Sequence, residues 1–220
     1  TNCSVTNNSG GGLNTYGKNV VLLNTEFRRN TGWGVNCYNH YSYGSGRLEM
    51  RNCTIRENSS GVNLYYGFSE VILVGNTISD QVGTGLEWQV HSGGQLGAGG
   101  ITGNTIRSNQ VGILVSGSQP SVLTLSGNDI YGNRDFEIQN QGGIAVTADG
   151  NYFGQPTSSE LSQGRYGLSR VYDIRSNPSY GQVLINRWYT NSVIGGSPGP
   201  LQTLPYPVPG VTMTVSGVLE

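Results

Sequence analysis

The segment "GGITGNTIRSNQVGILVSGS", residues 99–118, decides the fold because nearly the same phrase stands on either side of it. "VILVGNTISDQVGTGLEWQV" precedes it at 71–90, and "LTLSGNDIYGNRDFEIQNQ" follows it at 123–141. A phrase that returns at a nearly fixed interval indicates a repeating unit of architecture. The sequence therefore predicts a stack of similar coils.

Each repeat is centred on one apolar residue in the pattern N-x-I-x-x-N. These anchor residues are Val5, Phe27, Ile55, Ile78, Ile106, Ile130 and Phe153. A second apolar segment follows each anchor, and a third precedes the next one, so a repeat of about 22 to 28 residues holds three short strands. Such a pattern is typical of a solenoid in which every coil adds one strand to each of three parallel sheets.

Composition agrees with strands joined by tight bends. Glycine accounts for 35 of 220 residues, and charged residues make up only 11%. The net charge of −1 gives no basic field for nucleic acid. No apolar run reaches the ~20 residues of a membrane helix. We therefore expect neither nucleic acid binding nor membrane insertion.

A polar column stands two residues before the anchors, and we expect its asparagines to form a structural amide ladder. It comprises Cys3, Thr25, Cys53, Asn76, Asn104, Asn128 and Asn151. Cys3 and Cys53 would lie two coils apart, roughly 10 Å, which is too far for a disulfide. The sequence predicts three buried free thiols, and it predicts no metal site because no Cys/His spacing fits one.

The repeats "GNTIRSNQVGILVSG" (103–117) and "GNDIYGN" (127–133) resemble those of right-handed parallel β-helix proteins of the pectate-lyase-like superfamily. The closing segment from "ADGNYFG" to "VLINRW" (148–188) is similar to the end of such repeats. The resemblance implies an all-β, right-handed parallel β-helix solenoid of about six three-strand coils with a C-terminal cap. It leaves function open, because lyases, glycosidases, epimerases, phage tailspikes and noncatalytic surface proteins share these repeats.

Four segments are predicted from the pattern. Parallel β-helix repeats occupy 1–154, and a capping segment occupies 155–192. A linker rich in proline and glycine follows at 193–210, and a single strand at 211–220 resembles the start of another module. The chain is therefore expected to be covalently linked to other domains of a longer protein.

Aromatic residues and histidines gather where second strands lead into third strands. They are Tyr16, Tyr38, His40, Tyr41, Tyr43, Tyr65, Tyr66, Phe68 and His91. Rings in a row suit the C–H faces of sugars, and their hydroxyls can bond sugar hydroxyls. The alternatives are that the rings only pack on one another or that they contact a protein.

A glycosidase needs two carboxylates about 5–9.5 Å apart. Glu87 and Glu137 are assigned to the outward column of the second strands, which also holds Asn14, Asn36, Asn63 and Leu114, and His91 is the other candidate catalytic residue. Arg28 and Arg56 either clamp an acidic sugar or interact with Glu26, Glu57 or solvent.

Two hypotheses follow for function. The first is a noncatalytic extracellular or cell-surface module that binds a polysaccharide or cell-surface glycan, or serves as a structural stalk, with no cofactor. It fits the lack of clustered carboxylates, the start inside a repeat and the proline-rich exit. The alternative is a fragment of a polysaccharide lyase or glycoside hydrolase.

Overall fold

The computed structural model describes residues 1–17, 19–39, 46–89, 96–117, 123–165 and 167–204, and for 96–99 it describes the backbone alone. Strands dominate these ranges, and the α-helix among them, α1 (Thr157–Ser162), comes after the repeats. The strands, numbered in chain order, fall into three stacks, one for each strand of the predicted coil.

Each stack takes every third strand while the coils repeat. The first sheet holds β1 (Ser4–Thr6), β4 (Glu26–Arg28), β7 (Thr54–Arg56), β10 (Thr77–Ser79), β13 (Thr105–Arg107), β16 (Asp129–Tyr131), β19 (Asn151–Tyr152), β22 (Arg187–Tyr189) and β23 (Leu201–Thr203). The second sheet holds β2 (Leu13–Tyr16), β5 (Trp33–Asn39), β8 (Ser60–Tyr66), β11 (Thr84–Gln89), β14 (Val111–Val115), β17 (Phe136–Asn140) and β20 (Val171–Tyr172).

The third stack is divided into two sheets. One holds β3 (Val20–Leu23), β6 (Gly46–Arg51), β9 (Phe68–Val74) and β12 (Leu96–Thr102), and the other holds β15 (Leu123–Thr124), β18 (Val146–Thr147) and β21 (Val183–Leu184). A parallel bridge between Ile101 and Leu125 connects them. The fold is thus a parallel β-solenoid of about five turns, against about six predicted, and its third strands shorten toward the C-terminal end.

The alternation of apolar residues is confirmed by the register. Successive anchors pair with each other, as Phe27 does with Ile55, Ile55 with Ile78 and Ile78 with Ile106. The anchors from Phe27 onward are at most 2% exposed and join one continuous core with the inward residues of the other two sheets. Burial of this apolar column is the main stabilising contribution to the solenoid.

Two buried amide ladders run through the turns. In one, Asn76 donates from Nδ2 to Asn104 Oδ1 at 2.9 Å, and the same bond continues from Asn104 to Asn128 and on to Asn151. In the other, Asn8, Asn30, Asn58, Gln81, Asn109 and Asn133 follow one another. The predicted ladder is confirmed, and its asparagines are structural.

The second strands need glycine at one position because the next coil approaches closely there. A Cβ on Gly85 would lie 2.7 Å from Asn109 Nδ2 and 2.8 Å from the Gly112 carbonyl oxygen, and one on Gly112 would lie 2.7 Å from Asn133 Nδ2. The same column holds Gly12, Gly34, Gly61, Gly85 and Gly112. The next position in this column after Gly112 is Glu137. Its Oε2 accepts a hydrogen bond from Asn133 Nδ2 at 2.5 Å. A carboxylate therefore terminates the amide ladder that runs from Asn8 to Asn133.

The C-terminal part folds back on the coils. β23 pairs antiparallel with β22, and the carboxylate of Asp129 accepts hydrogen bonds from Ser192 Oγ and, at 2.7 Å, from the Val193 amide. Antiparallel pairing on an otherwise parallel sheet covers an edge that would expose unpaired backbone groups. The predicted segment boundaries stay predictions, and the strand predicted at 211–220 lies outside the described residues.

All three cysteines are free, but the prediction that all are buried is wrong for Cys3. Cys37 and Cys53 are buried, whereas Cys3 is exposed because no described coil packs on its outer side. Burial raises the pKa of the Cys37 thiol to about 12, so this side chain acts as a small apolar group of the core.

Candidate functional site

The outer face of the second sheet carries two columns of like residues in three consecutive coils. Strand pairing aligns Asn14 with Asn36 and Asn63, and it aligns Tyr16 with Tyr38 and Tyr65. Side chains two residues apart on a strand point to the same side, so the two columns lie next to each other. We call these six residues the tyrosine–asparagine face.

The rings of this face pack along the solenoid axis. Tyr38 and Tyr65 are stacked with centroids 4.7 Å apart and an angle of 18° between their planes. Tyr16 is tilted against Tyr38 at 5.8 Å, and Tyr66 meets Tyr65 edge-on at 4.6 Å. Packing between rings, one of the alternatives left open by the sequence, is thus present. In the stacked pair, Tyr38 and Tyr65 each cover one face of the other ring.

The asparagines form a third amide ladder, on the outside. Asn36 donates from Nδ2 to Asn14 Oδ1 at 3.0 Å, and Asn63 donates to Asn36 Oδ1 at 2.9 Å. Each NH2 group has two protons, so this bond uses only one of them. The column is half-buried at Asn36 and Asn63 and exposed at Asn14. The ladder therefore keeps hydrogen-bonding capacity at the surface.

Glu87 is the next residue in the asparagine column, directly opposite Asn63. Its carboxylate accepts hydrogen bonds from Gln89 and from Ser116 Oγ, the latter at 3.4 Å. Burial raises the pKa of Glu87 above its usual value, against the lowering effect of these two bonds. Asn63 Oδ1 is buried and has no hydrogen-bond partner among the described residues.

The placement of Glu137 in the same outward column is wrong. Strand pairing sets Leu114 opposite Gln139, so Glu137 falls opposite Gly112 instead. The turn after Asn133 is longer by one residue than the turn after Asn109, and this shifts the strand relative to the repeat. Glu137 is 1% exposed, and burial raises its pKa to about 7. It cannot reach a surface ligand beside Glu87.

The remaining predicted site residues divide into three groups. Tyr16, Tyr38, Tyr65 and Tyr66 are brought together on the outside. Phe68 is 1% exposed, so the prediction that it contacts a ligand is wrong: it begins β9 inside the core. His40, Tyr41, Tyr43 and His91 lie outside the described residues.

The arginines of the first sheet are engaged in ion pairs. Arg28 and Arg29 both contact Glu57, and Arg56 contacts Glu26 at 2.8 Å. The hydrogen bond from Arg29, followed by that from Arg28, lowers the pKa of Glu57 to about 2. Of the two alternatives left open for Arg28 and Arg56, pairing with these carboxylates is the one observed.

The described residues contain no group of three or more Cys, His, Asp or Glu side chains placed to hold a metal ion. None of their helices has the length and apolar character required to cross a membrane.

The three stacked sheets and their amide ladders define a parallel β-solenoid. A family model described as "Right handed beta helix region" matches residues 1–97. Residues 1–97 are therefore similar to that family, and the described residues form a right-handed-type parallel β-solenoid. No curated protein and no solved structure matched it.

The outer asparagine ladder is the part of the site to which the sequence analysis gave no role. Asn14, Asn36 and Asn63 were recognised as outward residues, but only in a search for carboxylates. The signal was present, because an identical amide occupies an identical position in three successive coils. Amides stacked on an exposed face serve the fold less than buried ones do, and this points to another use.

Proposed function

We propose that this chain is a noncatalytic β-helix module of a larger secreted or cell-surface protein, and that the tyrosine–asparagine face binds polysaccharide. The observation that carries the proposal is the pair of columns, hydroxyl beside amide, repeated over three coils. Sugars present hydroxyl groups on every unit, and hydroxyl and amide side chains both donate and accept hydrogen bonds.

The mode of contact differs from the sequence-based expectation. Since Tyr38 and Tyr65 cover each other's faces, a sugar would meet ring edges and hydroxyl groups there. Tyr16, which is 56% exposed, ends the row and offers the largest aromatic surface of the three. Hydrogen bonding by hydroxyl and amide groups supplies specificity in this arrangement.

The absence of catalysis is part of the proposal. A glycosidase uses two carboxylates on either side of the scissile bond. Of the two predicted here, Glu87 borders the face and Glu137 is buried at the end of an inner ladder. For the enzyme alternative, Glu87 is the described carboxyl at the surface, and burial raises its pKa above the usual value, the direction that a general acid requires.

The test is co-sedimentation with a panel of insoluble and immobilised polysaccharides, with the supernatant assayed for released sugar. We expect retention without release, and we expect Tyr38→Ala and the milder Tyr16→Ala to weaken retention. Tyr152→Ala is the matched control, because Tyr131 and Tyr152 form a similar tilted ring pair at 5.7 Å on the first sheet. Thermal unfolding of each variant separates loss of binding from loss of fold.

Each other outcome rejects the proposal. Release of sugar would identify an enzyme and direct attention to Glu87. Neither retention nor release would leave a structural stalk. Retention lost equally in Tyr152→Ala would remove the tyrosine–asparagine face as the binding surface.

A further inference from the structure

Residues 190–204, which we call the strap, are held to the coils mainly by hydrogen bonds. None of these residues is buried, and Leu201 is 41% exposed. Leu204 is the strap residue that packs against the core. A segment with few buried apolar contacts opens locally at a lower free energy than the core beneath it. The strap is therefore a part of the molecule that can detach while the coils stay folded.

Asp129 holds the strap at one point. Its carboxylate accepts hydrogen bonds from Ser192 Oγ and, at 2.7 Å, from the Val193 amide. Asp129 lies in β16, which is separated from β22 by β19 in the first sheet, so the chain turns back after β22 to reach it. Hydrogen bonds to an ionised acceptor are stronger than those between neutral groups. Loss of this contact should therefore raise the population of the detached strap.

The strap also supplies β23, which covers the edge of the first sheet. β23 pairs antiparallel with β22, and the Leu204 amide donates to the Asn186 carbonyl oxygen at 3.0 Å. Since β22 pairs with β19 on its other side, detachment of the strap uncovers one edge of this sheet. An uncovered edge presents unpaired backbone groups that bind another extended strand.

The connection between β22 and β23 has the composition of a hinge. Residues 195–200 read Gly-Gly-Ser-Pro-Gly-Pro. A Cβ on Gly199 would collide with Thr190 Oγ1, so the two arms of the connection touch each other in the closed form. Proline-rich segments also adopt an extended form, in which 195–200 would span roughly 19 Å at about 3.1 Å per residue. The connection is thus long enough to carry β23 away from its own β22.

We propose that β23 is exchanged between two copies of this chain, so that the β23 of each copy pairs with the β22 of the other, and that the contact of Asp129 with the strap opposes the exchange. A second copy is the partner because the edge of β22 is already matched to β23 over three residue pairs, Arg187 with Thr203, Trp188 with Gln202 and Tyr189 with Leu201. Exchange of an identical element creates a dimer without a new interface.

Disulfide trapping in a mixture of two variants tests the proposal. One variant carries Arg187→Cys and the other Thr203→Cys, and both carry Cys3→Ser because Cys3 is exposed. Positions 187 and 203 are exposed and directly opposite each other, which is close enough for a disulfide. We expect a cross-linked dimer that joins the two different variants. Absence of this dimer, or an equal yield when each variant is oxidised alone, would overturn the exchange.

Variants of the Asp129 contact test its part in the proposal. Asp129→Ala should speed both the cross-linking and the hydrogen exchange of the Leu204 amide at least about tenfold, because two hydrogen bonds to a carboxylate are lost. Ser192→Ala removes one of these bonds without altering a coil and should have a smaller effect in the same direction. Asp135→Ala is the matched control, because the side chain of Asp135 is exposed and bonds Gln110.

Two further outcomes would count against the proposal. Unchanged exchange of the Leu204 amide in Asp129→Ala would show that Asp129 does not hold the strap. Faster exchange of this amide without any mixed dimer would show that the strap detaches but that β23 does not pair with a second copy.

Discussion

The inner and outer amide ladders use the same side chain at the same interval and differ in what surrounds them. Asn104 and Asn128 are at most 1% exposed, and each of their Nδ2 groups also bonds backbone carbonyls of the turns. Among the described residues, the side chains of Asn36 and Asn63 bond within their own column, and both remain partly exposed. Stacked amides can thus either stabilise the fold or present polar groups at the surface. Burial and backbone contacts distinguish the first role from the second.

The two kinds of ladder also point in opposite directions. In the inner ladders the amide of one coil donates to the coil that follows it, as Asn76 does to Asn104. In the outer ladder Asn36 donates to Asn14 in the coil before it. The inner direction explains why an acceptor, Glu137, stands at the C-terminal end of one ladder. The outer direction leaves an acceptor without a donor at Asn63.

The largest expected effect comes from removing a central inner rung. Asn104→Ala leaves Asn76 without its acceptor and several buried groups without partners, at about 1–3 kcal/mol each, so we expect about 4 kcal/mol of destabilisation. Asn36→Ala, its outer counterpart, should cost less than about 1 kcal/mol. Denaturant unfolding followed by circular dichroism measures both, and equal costs would contradict the comparison.

Gly85→Ala tests whether the inner ladder also dictates the glycine column. The added Cβ would meet Asn109 Nδ2 and the Gly112 carbonyl oxygen, so we expect about 3 kcal/mol of destabilisation. Gly143→Ala is the control, because a Cβ there meets nothing within 4 Å. The same unfolding measurement applies, and a harmless Gly85→Ala would mean that the coils can separate at little cost.

Glu137 makes the end of an inner ladder sensitive to pH. Its folded-state pKa of about 7 lies above the ordinary 4.5, so its contribution to stability is complete below about pH 4.5 and is lost as pH rises through 7. The change should be roughly 2–3 kcal/mol. Glu137→Gln keeps an oxygen acceptor for Asn133 and should flatten this part of the stability profile, measured by unfolding at several pH values. An unchanged profile would show that Glu137 does not titrate in this range.

Glu87, at the end of the outer ladder, should also make the protein less stable as pH rises, but the change in stability should be smaller than for Glu137. Burial raises its pKa, but the side chain is partly exposed, so water screens the effect. We expect Glu87→Gln to change stability at neutral pH by less than about 1 kcal/mol and to leave the proposed polysaccharide binding in place. A change in stability as large as that of Glu137→Gln would contradict the proposed difference between the inner and outer ladders.

The sequence predicts the fold well because each coil repeats the same physical requirement. The anchors, the inward residues of each strand and the buried ladder from Asn76 to Asn151 all follow from one period. The errors occur where the period is interrupted. One extra residue in the turn before Phe136 interrupts the period, so that Gln139 and not Glu137 lies opposite Leu114, and the turn into β9 directs Phe68 into the core.

The candidate site is less predictable than the fold. Its aromatic members were found because tyrosines cluster at one point of the repeat, yet the sequence does not reveal how their rings stack. Ring orientation depends on side-chain torsions that neighbouring coils select together, as for Tyr38 and Tyr65. Hydroxyl edges in place of ring faces therefore became visible only in three dimensions.

Each coil contacts mainly its two neighbours, so a whole coil can be duplicated or lost in evolution as one unit. Duplication or loss of one whole repeat leaves every remaining ladder bond with an equivalent partner. A duplicated coil that carries a tyrosine and an asparagine would lengthen the outer face by one step. Under the proposed function, descendants of such a chain would gain or lose binding surface in steps of one coil, without redesigning a single contact.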